Sequence, residues 1–117
     1  MAIICLCGST RFTEKMLIKQ WELTNQGHIV LTWCALPNSY FENLPGFNGD
    51  YAHGGDLEGV KEIVDEVHKR KIGLSDRVLV LNYEGYIGKS TRSEIDYAIA
   101  HGKPVEYVEP LEVAELR

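Results

Sequence analysis

The sequence predicts an α/β fold built on a small parallel sheet, and three observations support this prediction. Continuous apolar runs such as Ala2–Cys7 are typical of strands that are covered on both faces. Segments with helical periodicity alternate with these runs. The resulting order β-α-β-α-β-α-β implies parallel strands joined by right-handed crossovers. We therefore expect a doubly wound, flavodoxin-like or Rossmann-like sheet of four or five strands, in the order 2-1-3-4 with any fifth strand last.

The first third of the chain supplies two strands and one helix. The run Ala2–Cys7 is the first strand, and Gly8 stops it. A helix is expected over about residues 13–26, with Gly27 after its end. The β-branched run Ile29–Cys34 is the second strand. The apolar side of the helix comprises Phe12, Met16, Leu17, Trp21 and Leu23.

The rest of the chain begins with a connection over residues 36–55 that shows no clear periodicity. A connection of roughly twenty residues is uncommon in a compact domain and is usually functional or disordered. Its aromatic residues argue against simple disorder. A helix follows, whose predicted apolar stripe comprises Leu57, Val60, Ile63, Val64, Val67 and Ile72.

The last elements are a buried strand, a helix and an edge strand. Arg77–Leu81 is the third strand, and a helix is expected over about residues 91–101. The alternating residues 105–108 form an edge strand, and a short helix is expected around residues 111–116.

Length and composition predict a single domain over residues 1–117, with 44% hydrophobic and 25% charged residues, as in ordinary globular proteins. The formal charge of −5 disfavours a nucleic acid polymer as partner, although one pocket can still bind a small anion. No apolar run approaches the length of a membrane span, and the first strand lacks the basic start of a signal peptide. We expect no membrane partner.

The cysteines favour a reducing, cytoplasmic environment. There are three, an odd number, and Cys5 and Cys7 lie in a predicted buried strand, so a disulfide framework is not expected. Cys5 and Cys7 share a strand face and can be interpreted as half of a metal site. Since no second Cys or His pair has ligand spacing, we expect two buried thiols and no metal.

Two loops are expected to meet where the winding of the sheet reverses, between the first and third strands. One loop is Gly8–Arg11 and the other is Asn82–Thr91. Both combine glycine with hydroxyl groups at a helix N-terminus, where free N–H groups and the helix dipole attract an anion. Arg11 adds a forked donor suited to phosphate. The predicted ligand contacts are Gly8, Ser9, Thr10, Arg11, Asn82, Gly88, Ser90 and Thr91, with Ser9, Arg11 and Ser90 holding one phosphate.

A structural interpretation of the same residues stays open. Ser9 or Thr10 can cap the first helix, and Thr91-x-x-Glu94 fits a capping box. Neither loop is a Walker A motif or a dinucleotide fingerprint, because the glycine spacing fails for both.

Glu94 is the candidate catalytic residue, because the first turn of the third helix directs it toward the same crevice. A carboxylate beside an anomeric carbon can attack that carbon or stabilise an oxocarbenium-like transition state. The role needs an ionised glutamate, which the helix N-terminus favours; the same field makes Glu94 a poor general acid unless the site is well desolvated. Asp50, Tyr51 and His68 are weaker candidates for contacts with a sugar or base.

Three motifs of the chain are distinctive: Cys7-Gly-Ser-Thr-Arg11, Gly85-Tyr-Ile-Gly-Lys-Ser-Thr-Arg-Ser-Glu-Ile-Asp-Tyr-Ala98 and Gly102-Lys-Pro-Val105. Together they resemble the nucleoside 2-deoxyribosyltransferase superfamily, most closely its 2′-deoxynucleoside 5′-phosphate N-hydrolases, which share a Gly-Ser-x-Arg phosphate loop. The resemblance implies cleavage or transfer at an N-glycosidic bond with Glu94 as nucleophile. It also implies a nucleotide or nucleoside as ligand, a homodimer whose neighbour completes each pocket, and no metal or organic cofactor.

The chain departs from the family pattern at two places. Cys5 stands where family enzymes commonly carry a tyrosine. The segment Val67–Ile72 offers no carboxylate where the family carries an aspartate, and His68 or Lys71 are the substitutes present.

We therefore expect an enzyme that acts on the N-glycosidic bond of a nucleoside 5′-monophosphate or nucleoside. The alternative from another class is a non-catalytic module that binds a nucleotide or nucleotide sugar. A cytokinin-activating phosphoribohydrolase is less favoured, because the Pro-Gly-Gly-x-Gly-Thr-x-x-Glu loop is absent. A phosphorelay receiver is less favoured because the ends of the first and third strands lack its acidic cluster.

Overall fold

The computed structural model describes residues 1–37, 39 and 60–111, and its centre is a parallel sheet of four strands in the order β2-β1-β3-β4. The strands are β1 (Ile3–Gly8), β2 (Ile29–Leu31), β3 (Arg77–Leu81) and β4 (Val105–Tyr107). The α/β class and the predicted strand order 2-1-3-4 are confirmed. Since β2 and β3 flank β1 on opposite sides, the winding reverses between β1 and β3.

Three α-helices and two short 3₁₀ turns connect the described strands. The α-helices are α1 (Thr13–Asn25), α2 (Val60–Leu74) and α3 (Lys89–Ala100). The 3₁₀ turns, Thr10–Phe12 and Tyr83–Gly85, follow β1 and β3 directly. No helix among the described residues is both long and apolar enough to pass through a bilayer.

The alternation of side chains along β1 divides the core into two layers. Ile4 and Leu6 pack on the side of α1, in a cluster with Phe12 and Met16. The side chains that point the other way, Cys5 and Cys7, pack beneath α2 and α3. Their cluster also contains Ile72, Val78, Val80, Ile95 and Ala98.

The predicted apolar side of α1 is only partly correct. Met16 is buried, whereas Leu17 and Trp21 are 55% and 70% exposed. The helix contacts the sheet along a narrow stripe, and the bulky residues beside this stripe remain outside it in the described part of the chain.

The predicted stripe of α2 is wrong at its centre. Ile63 and Val67 are 63% and 39% exposed, while His68 and Ile72 are buried. The face that meets the sheet repeats every four residues, as Val64, His68 and Ile72. Counting apolar residues alone selects the face of α2 that carries Ile63 and Val67, because such a count places the polar His68 in solvent.

Element ends differ from the predictions by a few residues. β2 ends at Leu31 rather than at Cys34, and α3 begins at Lys89 rather than near Thr91. Most of the 36–55 connection and the short helix predicted around residues 111–116 lie outside the described residues.

Gly8 ends β1 against the ring of Trp33. A Cβ atom at Gly8 would lie 3.0 Å from two ring carbons of Trp33 and 3.3 Å from Cβ of Leu81. Trp33 cannot move aside easily, because it is buried and its Nε1 donates to Thr13 Oγ1 at 3.3 Å. Glycine is therefore required here by close approach rather than by its backbone freedom.

We predict that Gly8→Ala lowers the free energy of unfolding by about 1–3 kcal/mol, the usual range for overpacking a core. The matched control is Gly73→Ala in α2, where nothing lies within 4 Å of the added Cβ. That change should be neutral or stabilising, since alanine favours a helix over glycine. Equal stability losses in urea unfolding of both variants would contradict the packing argument.

Candidate functional site

A cavity of about 290 Å³ opens at the carboxyl ends of the central strands, where the winding of the sheet reverses. Four segments line it: the loop after β1, the chain after β2, one face of α2, and the start of α3 with the loop before it. The lining residues are Gly8, Ser9, Thr10, Trp33, Cys34, Lys61, Val64, Asp65, His68, Tyr86, Gly88, Lys89, Ser90, Thr91 and Glu94.

Most of the predicted site residues meet in this cavity. The two loops start side by side, because Gly8 and Leu81 are partners in the pairing of β1 with β3. Glu94 and His68 line the same space. The predicted contacts found in the lining are Gly8, Ser9, Thr10, Gly88, Ser90 and Thr91.

Arg11 lies outside the lining. Its guanidinium Cζ is 3.7 Å from the ring centroid of Tyr86, and the Tyr86 ring is part of the cavity wall. A stacked cation of this kind is held by the negative face of the ring. Arg11 is exposed, and the ring of Tyr86 separates it from the cavity where the phosphate was predicted to bind.

Asn82 was predicted to contact the ligand, but its side chain is used within the protein. Its side chain is buried, its Nδ2 donates to the carbonyl of Glu109 at 3.0 Å, and its Oδ1 accepts from the Glu109 N–H at 3.0 Å. Both ends of the amide are occupied, so Asn82 joins the end of β3 to the chain after β4. It does not line the cavity.

Ser9 caps the 3₁₀ turn that follows β1, as the structural interpretation allowed. Its Oγ accepts from the Arg11 N–H at 3.2 Å. The hydroxyl hydrogen is not used by this contact, so Ser9 can cap the turn and donate to a ligand at the same time.

The capping-box interpretation of Glu94 is wrong, because α3 begins earlier than predicted. Gly88 is the N-cap, with φ −76° and ψ 171°, and no side chain caps the helix. Thr91 is therefore the third helical residue and Glu94 the sixth, in the second turn rather than the first. An uncapped N-terminus with Ser90 in its first turn leaves N–H groups for an anion.

Glu94 is a mostly buried carboxylate. Its side chain is 13% exposed, and its Oε1 is 3.8 Å from Nε2 of His68. Burial raises the pKa of Glu94 to about 7, against the opposing effect of the charge on His68. Glu94 was expected to stay ionised beside the helix N-terminus, but that field falls off within the first turn and desolvation dominates.

His68 connects Glu94 to the two thiols of β1. Its Nε2 is 3.3 Å from Sγ of Cys7 and 3.9 Å from Sγ of Cys5. Burial lowers the pKa of His68, but hydrogen bonding to Cys5 and the charges of Glu94 and Cys5 outweigh it, and the net pKa is raised. A protonated imidazole facing Glu94 favours the carboxylate form of Glu94.

Several cavity residues were missed by sequence reasoning. Asp65 supplies a carboxylate three residues before His68, one turn earlier on the same face. Its Oδ2 is 3.1 Å from Nζ of Lys61, another lining residue. The i, i+3 spacing of Asp65 and His68 is the signal that could have found it. Trp33, Cys34, Tyr86 and Lys89 had no such signal.

Three candidates remain: Lys71, Asp50 and Tyr51. Lys71, considered as a substitute for the family aspartate, donates from Nζ to the carbonyl of Thr32 at 2.8 Å and ties α2 to the chain after β2. Asp50 and Tyr51 lie outside the described residues.

Comparisons with known proteins add no family assignment. No protein-family model matches the chain, and no curated protein matches it. The resemblance to the nucleoside 2-deoxyribosyltransferases therefore stays a prediction that rests on the motifs.

We predict that Glu94→Gln stabilises the fold at pH 8 and has little effect near pH 5. A carboxyl group whose pKa rises from 4.5 to about 7 on folding binds its proton more tightly in the folded state. Stability is therefore lost as the pH rises through this window, by on the order of 2–3 kcal/mol, and glutamine removes the loss.

The measurement is thermal unfolding of the wild type and variant in metal-free buffer at both pH values. Asp96→Asn is the control, because it replaces an exposed carboxylate on the same helix by the matching amide. A lower melting temperature for Glu94→Gln at pH 8 would show that the ionised carboxylate is favoured by its surroundings.

Proposed function

We propose that the protein is an enzyme that cleaves the N-glycosidic bond of a nucleoside 5′-monophosphate or nucleoside, or transfers the sugar to a second base. One observation carries the proposal: a single cavity joins a buried carboxylate, Glu94, to two hydroxyl-bearing loops at helix N-termini. The loops suit an anion and the carboxylate suits an anomeric carbon, and a nucleotide contains both.

Glu94 is the nucleophile of the proposed reaction. Its oxygen attacks the anomeric carbon as the bond to the base nitrogen breaks, and the base leaves with the electron pair. Water or a second base then displaces Glu94 from the sugar. Burial supports this role, since little water surrounds the carboxylate and its charge acts strongly on a nearby positive centre.

His68 positions Glu94 for this step. The protonated imidazole, 3.8 Å from Oε1, favours the ionised carboxylate against the cost of burial. His68 therefore acts through Glu94 and need not touch the substrate.

The phosphate of the proposed substrate binds at the N-terminus of α3. Ser90 and the N–H groups of the first turn are donors, and Lys89 adds a positive charge to the lining. Ser9 faces the same space from the loop after β1. Arg11, stacked on Tyr86, supplies a second cation at the edge of the cavity.

The base and sugar of the proposed substrate contact the remaining residues of the cavity lining. Trp33 and Tyr86 offer aromatic surfaces on which a base can stack, and Asp65 offers a carboxylate to a sugar hydroxyl.

The proposal includes a cytoplasmic location and a homodimer. Leu17, Ile18 and Trp21 on α1, each at least 55% exposed, form an apolar patch that supports association.

A non-catalytic nucleotide-binding module is the second candidate, and one observation favours it. Cys5 stands at the position of the family tyrosine, yet it is fully buried and does not line the cavity, so it cannot take over a contact with substrate. Incubation with a panel of nucleosides and nucleoside monophosphates separates the two candidates. Release of free base supports the enzyme, and binding without release supports the module.

We predict that Glu94→Gln abolishes base release while nucleotide binding stays within a few-fold of the wild type. An amide is isosteric with the carboxylate but can neither attack the anomeric carbon nor stabilise positive charge there. The loss should be at least about 10³-fold in kcat, since oxyanion-type and covalent groups contribute on this scale. Asp96→Asn, on the same helix, should retain full turnover. Substantial turnover by the Gln variant would remove Glu94 from the reaction.

We predict that a nucleoside 5′-monophosphate binds more tightly than its nucleoside, and that Arg11→Ala removes most of the difference. Loss of a charge-assisted contact costs on the order of 1.5–3 kcal/mol. Lys15→Ala is the control, because the Lys15 ammonium lies 4.4 Å from the ring centroid of Tyr83, which does not line the cavity, whereas Arg11 stacks on the lining residue Tyr86. Calorimetry that finds equal affinities for the two ligands would contradict the phosphate assignment.

A further inference from the structure

Three side chains that commonly bind metals converge below the floor of the cavity. They are Cys5 and Cys7 of β1 and His68 of α2, and their two Sγ atoms and one ring nitrogen all lie within 4.8 Å of one another. The two cysteines are fully buried and His68 is 3% exposed. The proposed glycosidic reaction uses neither thiol.

The cluster depends on tertiary structure that the sequence pattern does not reveal. Cys5 and Cys7 share the face of β1 that lies beneath α2, and α2 turns His68 rather than Val67 toward them. His68 is 61 residues after Cys7, so no local spacing indicates a third ligand. The expectation of two buried thiols and no metal considered only local pairs.

The distances between the ligand atoms match the ligand–ligand distances of a tetrahedral metal site. Bonds of about 2.3 Å to sulfur and 2.0–2.1 Å to nitrogen place a sulfur and a nitrogen ligand roughly 3.5 Å apart. The two distances from His68 Nε2 to the thiols are 3.3 Å and 3.9 Å, on either side of this value. The next oxygen, Oε1 of Glu94, is 3.8 Å from the same nitrogen. The remaining pair of ligand atoms, the two Sγ atoms, lies within 4.8 Å.

We propose that Cys5, Cys7 and His68 form a binding site for zinc or a similar thiophilic divalent cation, with the fourth position of the ion facing Glu94. Thiolate and imidazole ligands select such ions, whereas Mg²⁺ and Ca²⁺ require oxygen ligands.

Charge balance favours a dication at this position. Two thiolates neutralise the ion, and a neutral cluster avoids the large cost of an unpaired charge in a buried site. Among the described residues, none makes a hydrogen bond to Nδ1 of His68, so no contact at Nδ1 prevents the neutral imidazole from carrying its proton there and turning Nε2 to the thiols unprotonated. The Nε2 lone pair is then available to the metal.

The cluster lies one side chain away from the cavity. His68 is part of the cavity lining, and its Nε2 is 3.3 Å from Sγ of Cys7. The site stands whether or not Glu94 is a nucleophile, since its three ligands do not include Glu94.

The test is a zinc titration of the reduced, metal-free protein in competition with a chromophoric chelator. We expect one equivalent of zinc to be bound, with millimolar Mg²⁺ unable to displace it. Cobalt(II) in the same site should give the visible bands of tetrahedral coordination and thiolate-to-cobalt charge-transfer absorption. None of these readouts involves turnover, so they can fail or succeed independently of the proposed glycosidic activity.

The variants separate this cluster from adventitious thiol binding. Cys7→Ser and His68→Gln should each lose more affinity than the roughly 10–100-fold that follows loss of an outer-shell partner. Cys34→Ser, which removes the exposed third thiol, should keep both affinity and spectrum. Circular dichroism verifies the fold of each variant, and the wild-type cobalt spectrum needs no variant. Zinc binding too weak to compete, an octahedral cobalt spectrum, or loss of binding only in Cys34→Ser would overturn the proposal.

Discussion

The parallel pairing of β1 with β3 is the constraint on which the site depends. It places Gly8 beside Leu81, so the loops that leave both strands begin at one edge of the sheet. The same strand, buried on both faces, sends Ile4 and Leu6 toward α1 and Cys5 and Cys7 toward α2 and α3. Because side chains alternate along a strand, the register that aligns the loops also fixes which thiols lie below the cavity.

Within the described part of the chain, burial disfavours the charge on Glu94 more than nearby positive groups favour it. His68 and Lys69 are the positive groups that favour its charged form, and Nε2 of His68 is 3.8 Å from Oε1 of Glu94, beyond hydrogen-bond distance. Ionisation of a carboxylate in such surroundings lowers the stability of the fold. Side chains in clefts whose pKa values are strongly shifted are common at functional sites. The raised pKa of Glu94 is therefore more consistent with chemistry than with a role in capping α3.

The strand pattern was predictable because buried parallel strands appear as continuous apolar runs, and β1 and β3 are such runs. The converging loops were predictable for the same reason, since strand order determines where they meet. The orientation of α2 was not, because a count of apolar residues could not place His68 in the core. The start of α3 was also missed: Thr91 suits an N-cap, yet Gly88 takes that position and moves Glu94 into the second turn.

The buried face of α2 links the two proposals and also sets them against each other. As a cation, His68 favours the ionised Glu94 that an attack on an anomeric carbon requires. As a metal ligand, His68 is neutral, and the ion beside it offers its fourth position to the carboxylate of Glu94. The two proposals therefore require different protonation states of His68, so they describe two alternative states of the same cavity.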